Sequence, residues 1–214
     1  PPWLQMIPYK VPDDLSSLNI TVLLFKVAFD QTPADALYSI ALGKIALGLV
    51  ADGERDIDTL IKQSPQSFQP WMRKGELLLA RNEWEAAAEA MFQGINRAPA
   101  AQRMGMYAVA ARGFYDRGQQ LLAVKLYRVA LKEQFDVNIA SYLAFILSTS
   151  NDDKLRNGVE ALEVAEKATK ADPTSPTALN SLAAALAENG KFTEAAAVAE
   201  RAIANARIKG ETAI

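Results

Sequence analysis

The chain contains no cysteine and no histidine among its 214 residues, and these absences exclude most familiar catalytic equipment. Without cysteine there is no disulfide bond, no thiolate nucleophile and no Cys-ligated zinc or iron–sulfur centre. Without histidine there is no imidazole base, no Ser-His-Asp triad and no imidazole metal ligand. Carboxylates, Lys, Tyr, Ser and Thr remain, but no paired-carboxylate, phosphate-loop or dinucleotide signature is present. We therefore predict no catalytic site, no cofactor and no metal site.

The chain also lacks an excess of charge and a long apolar run. Its 23 basic and 25 acidic residues leave a formal charge of −2, so nucleic acid is not an expected partner. The most apolar stretch, Leu18–Phe29, is short and contains Lys26, whereas a membrane span needs about 20 apolar residues. No span is predicted. The chain begins Pro1-Pro2-Trp3 without a signal-peptide pattern, so we interpret it as an excised or processed piece, with any membrane tether in a missing segment.

What the chain does have is an internal repeat. Counted from Trp71, Tyr107 and Leu179, similar small, large and turn residues recur at offsets of 4, 7, 11, 13, 16, 20, 23 and 28. After Trp71 these residues are Gly75, Leu78, Asn82, Trp84, Ala87, Met91, Gly94 and Pro99. After Tyr107 they are Ala111, Phe114, Gly118, Gln120, Ala123, Tyr127, Ala130 and Phe135. After Leu179 they are Ala183, Leu186, Gly190, Phe192, Ala195, Ala199, Ala202 and Arg207.

This template resembles the tetratricopeptide repeat (TPR), a pair of antiparallel helices. The resemblance covers about residues 67–208 and implies an all-α, right-handed superhelical solenoid of four helix pairs in residues 67–214. In the first pair the helices are expected at about Gln69–Arg81 and Trp84–Arg97. The turns carry Gly118 and Gly190, which suit a left-handed helix stop.

One repeat departs from the template. Between Tyr107 and Leu179 a further copy fits only if about five extra residues lie within Ser148–Gly158. The segments Tyr142–Ser150, Leu155–Gly158 and Glu160–Ala168 are similar to a bacterial TPR subtype with an elongated hairpin turn. That subtype is found in arrays attached to large, often membrane-tethered or exported proteins. The Asn151-Asp152-Asp153 cluster does not fit a calcium loop, since Leu155 stands where a ligand is needed. We expect Asp152 or Asp153 to cap a helix instead.

The first 66 residues are less regular. Residues 1–32 are predicted to be an extended lead-in followed by an apolar segment, residues 15–29, that is a helix or a buried strand. Residues 33–66 are predicted to be a degenerate helical hairpin or cap. Its first helix, about Ala34–Val50, is expected to end at Asp52-Gly53, and its second to span Asp56–Lys62.

The resemblance implies a binding groove lined by the first helix of each repeat. Ala140 is taken as the anchor of the remaining copy, and the positions one, five and eight after each anchor would face the groove. From these we predict partner-binding residues Met72, Glu76, Leu79, Arg112, Tyr115, Ser141, Phe145 and Asn180. The alternative is that some of them pack against neighbouring hairpins. A carboxylate clamp is not expected, because the positions two after each anchor hold Arg73, Val109, Tyr142 and Ser181 rather than a ladder of Asn.

Charge is uneven along the repeats. Residues 100–132 hold six basic groups against Asp116 alone, and residues 133–173 hold eight acidic groups against four basic ones. The candidate basic patch is Arg103, Arg117, Lys125 and Arg128. It can serve an acidic partner, or the basic and acidic regions can be complementary surfaces for head-to-tail contact. Alternatively its members can pair with carboxylates of adjacent repeats, where each exposed pair contributes about 0–1 kcal/mol.

The sequence thus predicts a non-catalytic scaffold that binds a protein or peptide segment in a concave groove. The alternative is a structural subunit of an oligomer that self-associates through its N-terminal segment.

Overall fold

The computed structural model describes residues 33–210, which form ten α-helices and no strand within that range. The helices are α1 Pro33–Ala46, α2 Val50–Gln63, α3 Phe68–Ala80, α4 Trp84–Arg97, α5 Ala100–Tyr115, α6 Gln120–Glu133, α7 Val137–Thr149, α8 Gly158–Ala171, α9 Pro176–Glu188 and α10 Phe192–Ile208. The all-α helical repeat fold is therefore confirmed. The predictions for residues 1–32 lie outside the described residues.

The described chain divides into two compact units. The first comprises residues 33–83 and 89–97, and the second comprises residues 84–88 and 98–210. Helices α1, α2 and α3 belong to the first unit, and α5 to α10 belong to the second. The predicted division into a lead-in, a cap over 33–66 and four repeats over 67–214 stays a prediction.

Successive helices form hairpins, and four of the five hairpin turns use a residue with a left-handed backbone. Gly48, Asn82, Gly118 and Gly190 have φ values of 83°, 63°, 76° and 75°. Glycine adopts this conformation without a Cβ clash, and asparagine tolerates it. The predicted left-handed stops at Gly118 and Gly190 are confirmed.

All five turns are closed by the same backbone hydrogen bond. The N–H group of the residue before each second helix donates to the carbonyl near the end of the first helix. The pairs, with N···O distances, are Leu49 to Lys44 (2.9 Å), Glu83 to Leu78 (3.0 Å), Gln119 to Phe114 (2.9 Å), Asn157 to Leu147 (2.8 Å) and Lys191 to Leu186 (2.9 Å). In four of them the bond spans five residues and completes a Schellman-type helix end.

The first hairpin corrects the sequence prediction. The helix stop is at Gly48, not at Asp52-Gly53, which lie inside α2. Gly53 is buried, and a Cβ atom there would lie 2.8 Å from the carbonyl oxygen of Ala41. Gly53 therefore lets α1 and α2 approach closely. The predicted bounds were wrong, because α1 ends before the predicted end at Val50 and α2 is longer than the predicted Asp56–Lys62.

The α7–α8 hairpin contains the elongated turn. Eight residues, 150–157, connect these helices, against three between α9 and α10. The side chain of Asn157 accepts the Glu160 N–H and caps α8. Asp152 instead accepts the Lys154 N–H at 2.9 Å within the turn, and Asp153 pairs with Arg156. The predicted helix-capping role of Asp152 or Asp153 was therefore wrong, because the cap is supplied closer to the helix.

Candidate partner-binding surface

Helices α5 and α7 of the second unit jointly hold one arginine between aromatic rings. The guanidinium carbon of Arg112 lies 6.0 Å from the ring centroid of Tyr115 and 5.8 Å from that of Tyr142. Its Nε donates to Asp116 Oδ1 at 2.6 Å. Cation–π contacts and a charge-assisted hydrogen bond together fix the orientation of this cation.

A buried tyrosine packs against one of the two rings that contact Arg112. Tyr127 of α6 is almost fully buried, and its ring stacks on that of Tyr142 with 6.2 Å between centroids and 13° between planes. Burial raises the pKa of Tyr127 to about 12, reinforced by Tyr142 and opposed by the Arg112 charge. The hydrogen bond that Arg112 donates to Asp116 raises the pKa of Arg112. At neutral pH Tyr127 is therefore neutral and Arg112 is charged. We call Arg112, Tyr115, Asp116, Tyr127 and Tyr142 the tyrosine–arginine cluster.

In α5 and α7, exposed residues lie one position further along the chain than the first predicted groove position of each repeat. Val109 has 74% of its surface exposed, and Tyr142 is also exposed. Both lie two residues after their anchors, Tyr107 and Ala140, and so outside the predicted groove positions. Ser141, by contrast, is fully buried, and its hydroxyl donates to the Val137 carbonyl at 2.7 Å. Ser141 therefore offers no surface to a partner.

The other predicted groove residues have different environments. In the first unit Leu79 is buried, which corrects its expected exposure, and Met72 packs against Gly94, where a Cβ atom would lie 2.8 Å from Met72 Sδ. Glu76 is exposed and accepts from Arg73 at 2.7 Å. In the second unit Phe145 on α7 and Asn180 on α9 are half-buried. Of the predicted set, only Arg112 and Tyr115 are brought into direct contact with each other by the interactions described above.

The candidate basic patch is partly neutralised within the chain. Arg103 pairs with Glu133 at 2.6 Å, and Arg128 forms a two-pronged pair with Glu160 at 2.9 and 2.7 Å. Arg117 donates to the Gly113 carbonyl at 3.0 Å, and Lys125 is exposed. For Arg103 and Arg128 the structure thus shows the alternative in which charges pair within the molecule.

Two general features of the described residues bear on function. No helix within residues 33–210 is both long enough and apolar enough to cross a bilayer. Over the same range, acidic side chains do not gather in threes in a way that would hold a metal ion.

Comparison with known proteins identifies the repeat. The tetratricopeptide repeat model matches residues 38–102 and 154–207, which together make up more than half of the chain. No curated protein matches the chain significantly.

Solved structures share the fold at low sequence identity. MamA (41–end) from Desulfovibrio magneticus RS-1 matches with a TM-score of 0.55 and 14% identity, covering 81% of this chain and 95% of that one. YrrB, described as a TPR protein with an unusual peptide-binding site, matches with a TM-score of 0.56 and 14% identity, covering 85% and 91%. The C-terminal part of a TPR repeat-containing protein from Cytophaga hutchinsonii has a TM-score of 0.53 and 14% identity, covering 78% and 64%.

Proposed function

Because the chain belongs to the tetratricopeptide repeat family, whose helical repeats are generally non-catalytic scaffolds for protein–protein interaction, we propose that it binds a partner segment on its tyrosine–arginine cluster. The chain itself is then non-catalytic, in keeping with its lack of histidine and cysteine. The partner is a protein or peptide, and binding requires no cofactor.

The observation that carries this proposal is the fixed position of Arg112 on an exposed face. Two tyrosine rings flank its guanidinium, and Asp116 holds its Nε. A side chain that is already ordered loses little conformational entropy when a partner binds. Tyrosine and arginine are also the residue types that most often dominate binding energy at interfaces.

The chemistry of the cluster indicates what kind of segment it accepts. Val109 and Tyr142 offer apolar area, and the remaining N–H groups of Arg112 offer hydrogen bonds to a carboxylate or a carbonyl oxygen. A short segment with an apolar side chain next to an acidic residue matches both. Peptide binding by YrrB, which has the same fold, supports this mode of recognition.

Selection of peptides from a randomised display library with the purified chain tests the proposal. Titration calorimetry then compares the selected peptides on the wild type, Arg112→Ala, Tyr142→Ala and Val109→Ala. Loss of about 2 kcal/mol, or roughly thirtyfold in affinity, is expected for the first two variants. Val109→Ala is expected to lose less affinity than the first two variants. Because the Val109 side chain is already exposed, this loss of affinity does not depend on any change in folding.

Leu121→Ala is the matched control, because Leu121 is an exposed apolar residue of α6 outside the cluster. Its affinity is expected to equal that of the wild type. If the selected peptides bind Arg112→Ala, Tyr142→Ala and Val109→Ala as tightly as this control, the cluster and the adjacent Val109 are not the binding site.

The alternative function, a structural subunit whose N-terminal segment contacts a neighbour, falls on residues outside those described. Deletion of residues 1–30 followed by light scattering tests it. An unchanged oligomer size would remove the basis for this alternative.

A further inference from the structure

Helix α10 carries an apolar stripe of which Phe192, Ala196 and Ile203 are exposed and Ala199 is half-buried. Phe192 and Ile203 have 70% and 52% of their surfaces exposed, and Ala196 and Ala199 lie between them. The spacing of four, three and four residues places all of them on one face of the helix. We call these residues the α10 stripe, which is about 17 Å long at 1.5 Å per residue.

The repeat itself shows what this face does elsewhere in the second unit. On α6 the equivalent positions include Val124 and Tyr127, which are both buried, and Leu131, which packs in a cluster with Ala140 of α7. The first helix of the next hairpin therefore covers this face of α6.

The same holds for α8. Its equivalent residue Ala165 is fully buried, and the hydroxyl of Thr169 donates to the carbonyl oxygens of Ala165 at 2.9 Å and of Ala178 on α9 at 3.4 Å. A helix thus packs on this face of α8 as well. On α10 the face is built in the same way, but no helix follows it within residues 33–210.

The order of residue sizes along the α10 stripe is the same in both directions: large, small, small, large. When a second α10 lies antiparallel with its midpoint on the first, Phe192 meets Ile203 of the second copy and Ala196 meets Ala199. The central alanines allow the helices to approach closely, and the large residues close both ends. The stripe contains no charged residue, so nothing within it repels an identical copy.

From this self-complementary pattern we infer that a second copy of the chain docks on the α10 stripe and forms an antiparallel α10–α10 homodimer. Such a contact is isologous, since the same patch serves both partners, and it closes at two subunits. The stripe is short, so the dimer is a weak one that exchanges with monomer. Partner binding at the tyrosine–arginine cluster is a separate activity on other helices.

The absence of cysteine from the chain provides a direct test of the helix register. Chains carrying Ala196→Cys and chains carrying Ala199→Cys are mixed in equal amounts and oxidised. The mixed disulfide dimer is expected to form about tenfold faster than dimers of Ala197→Cys chains, because Ala197 is exposed on another side of α10. A rate no faster than that of Ala197→Cys would overturn the inference.

A second measurement does not depend on disulfide chemistry. Light scattering over a wide range of concentration is expected to show a monomer–dimer equilibrium for the wild type. Ile203→Glu should raise the dimer dissociation constant at least about tenfold, because it places a charge in the dry contact. Ile208→Glu is the matched control, since Ile208 is 83% exposed on the opposite side of α10, and it should leave the constant unchanged.

The remaining outcomes overturn the inference. A wild type that stays monomeric at every concentration would show that a second copy does not dock on the stripe. Oligomers that grow beyond two subunits would indicate a head-to-tail contact. Equal effects of Ile203→Glu and Ile208→Glu, with helical content intact by circular dichroism, would place the dimer contact elsewhere.

Discussion

The α7–α8 and α9–α10 hairpins pack their helices in the same way but connect them by different means. In each, alanines lie at the equivalent close-approach sites: Ala144 and Ala161 in the first hairpin, Ala183 and Ala195 in the second, all buried. The same closing hydrogen bond reaches Leu147 from Asn157 and Leu186 from Lys191. Yet one turn has eight residues and the other three.

The short turn depends on backbone conformation. Gly190 has φ +75°, and the hydrogen bond from Lys191 completes the reversal. The long turn depends instead on side chains. Leu155 is buried, Ser150 donates to Gln120 of α6 at 2.7 Å, and Asn157 caps α8. The packed alanines and the closing hydrogen bond therefore define a hairpin. Extra residues in the turn are tolerated where they make contacts of their own.

The largest effect is expected from removing the buried side chain of the long turn. Leu155→Ala should lower the free energy of unfolding by about 3 kcal/mol, through lost apolar burial and the cavity left behind. Urea denaturation measures the loss. Leu121→Ala, at an exposed leucine, is the control and should change little. An equally small effect of both substitutions would mean that the long turn contributes no packing.

The short turn should respond to a change of backbone preference. Gly190→Ala is expected to cost about 1–2 kcal/mol, because an alanine at positive φ is strained while its Cβ meets no atom within 4 Å. Gly105→Ala is the matched control, at a helical glycine of α5 that also has open space around it. That substitution should stabilise the protein by up to about 1 kcal/mol. Thermal and urea unfolding measure both changes in stability. If the two substitutions change stability in the same direction, backbone strain at residue 190 is not the cause.

Loss of the side-chain cap should affect only the long-turn hairpin. Asn157→Ala is expected to cost about 1 kcal/mol, because the Glu160 N–H loses its acceptor. The control is Asn151→Ala, at an exposed residue of the same turn. Amide hydrogen exchange should speed up in the first turn of α8 for the cap variant alone. Unchanged exchange there would show that the cap does not hold the helix end.

The smallest effect is expected in the α3–α4 turn, where asparagine takes the place of glycine. Asn82 has φ +63°, so Asn82→Gly should relieve its residual strain and change stability by only a few tenths of a kcal/mol. The difference in unfolding free energy between the wild type and Asn82→Gly measures this change in stability. A loss above about 1 kcal/mol would indicate that the Asn82 side chain supports the turn in its own right.

Much of the fold was predictable because its signals are local. The expected helices at Gln69–Arg81 and Trp84–Arg97 differ from α3 and α4 by at most one residue at any end. The five extra residues expected in one turn equal the difference between its eight residues and the three of the α9–α10 turn.

The first hairpin was predicted poorly although its sequence carries the same template. Counted from Leu37, 34 residues before Trp71, Ala41, Gly48, Val50 and Gly53 fall at offsets of 4, 11, 13 and 16. Two glycines five residues apart were available as the helix stop. Only the packing of Gly53 against Ala41 separates their roles.

The candidate surface was predictable in part. Arg112 and Tyr115 were named from their offsets, but Tyr142 and Val109 were not, although they carry the exposed apolar area. Their shared position two residues after the anchor was the available signal.

Periodicity, small residues and turn glycines act through neighbouring positions in the chain. The amino-acid pattern therefore specifies most of the helices, which of them pair and where most turns fall. Which residues face outward depends instead on how the helices pack in three dimensions. One residue corresponds to about 100° of rotation around a helix, so a shift of one position buries Ser141 and exposes Tyr142. That rotation is set by the packing of neighbouring helices, and the repeat pattern alone does not specify it.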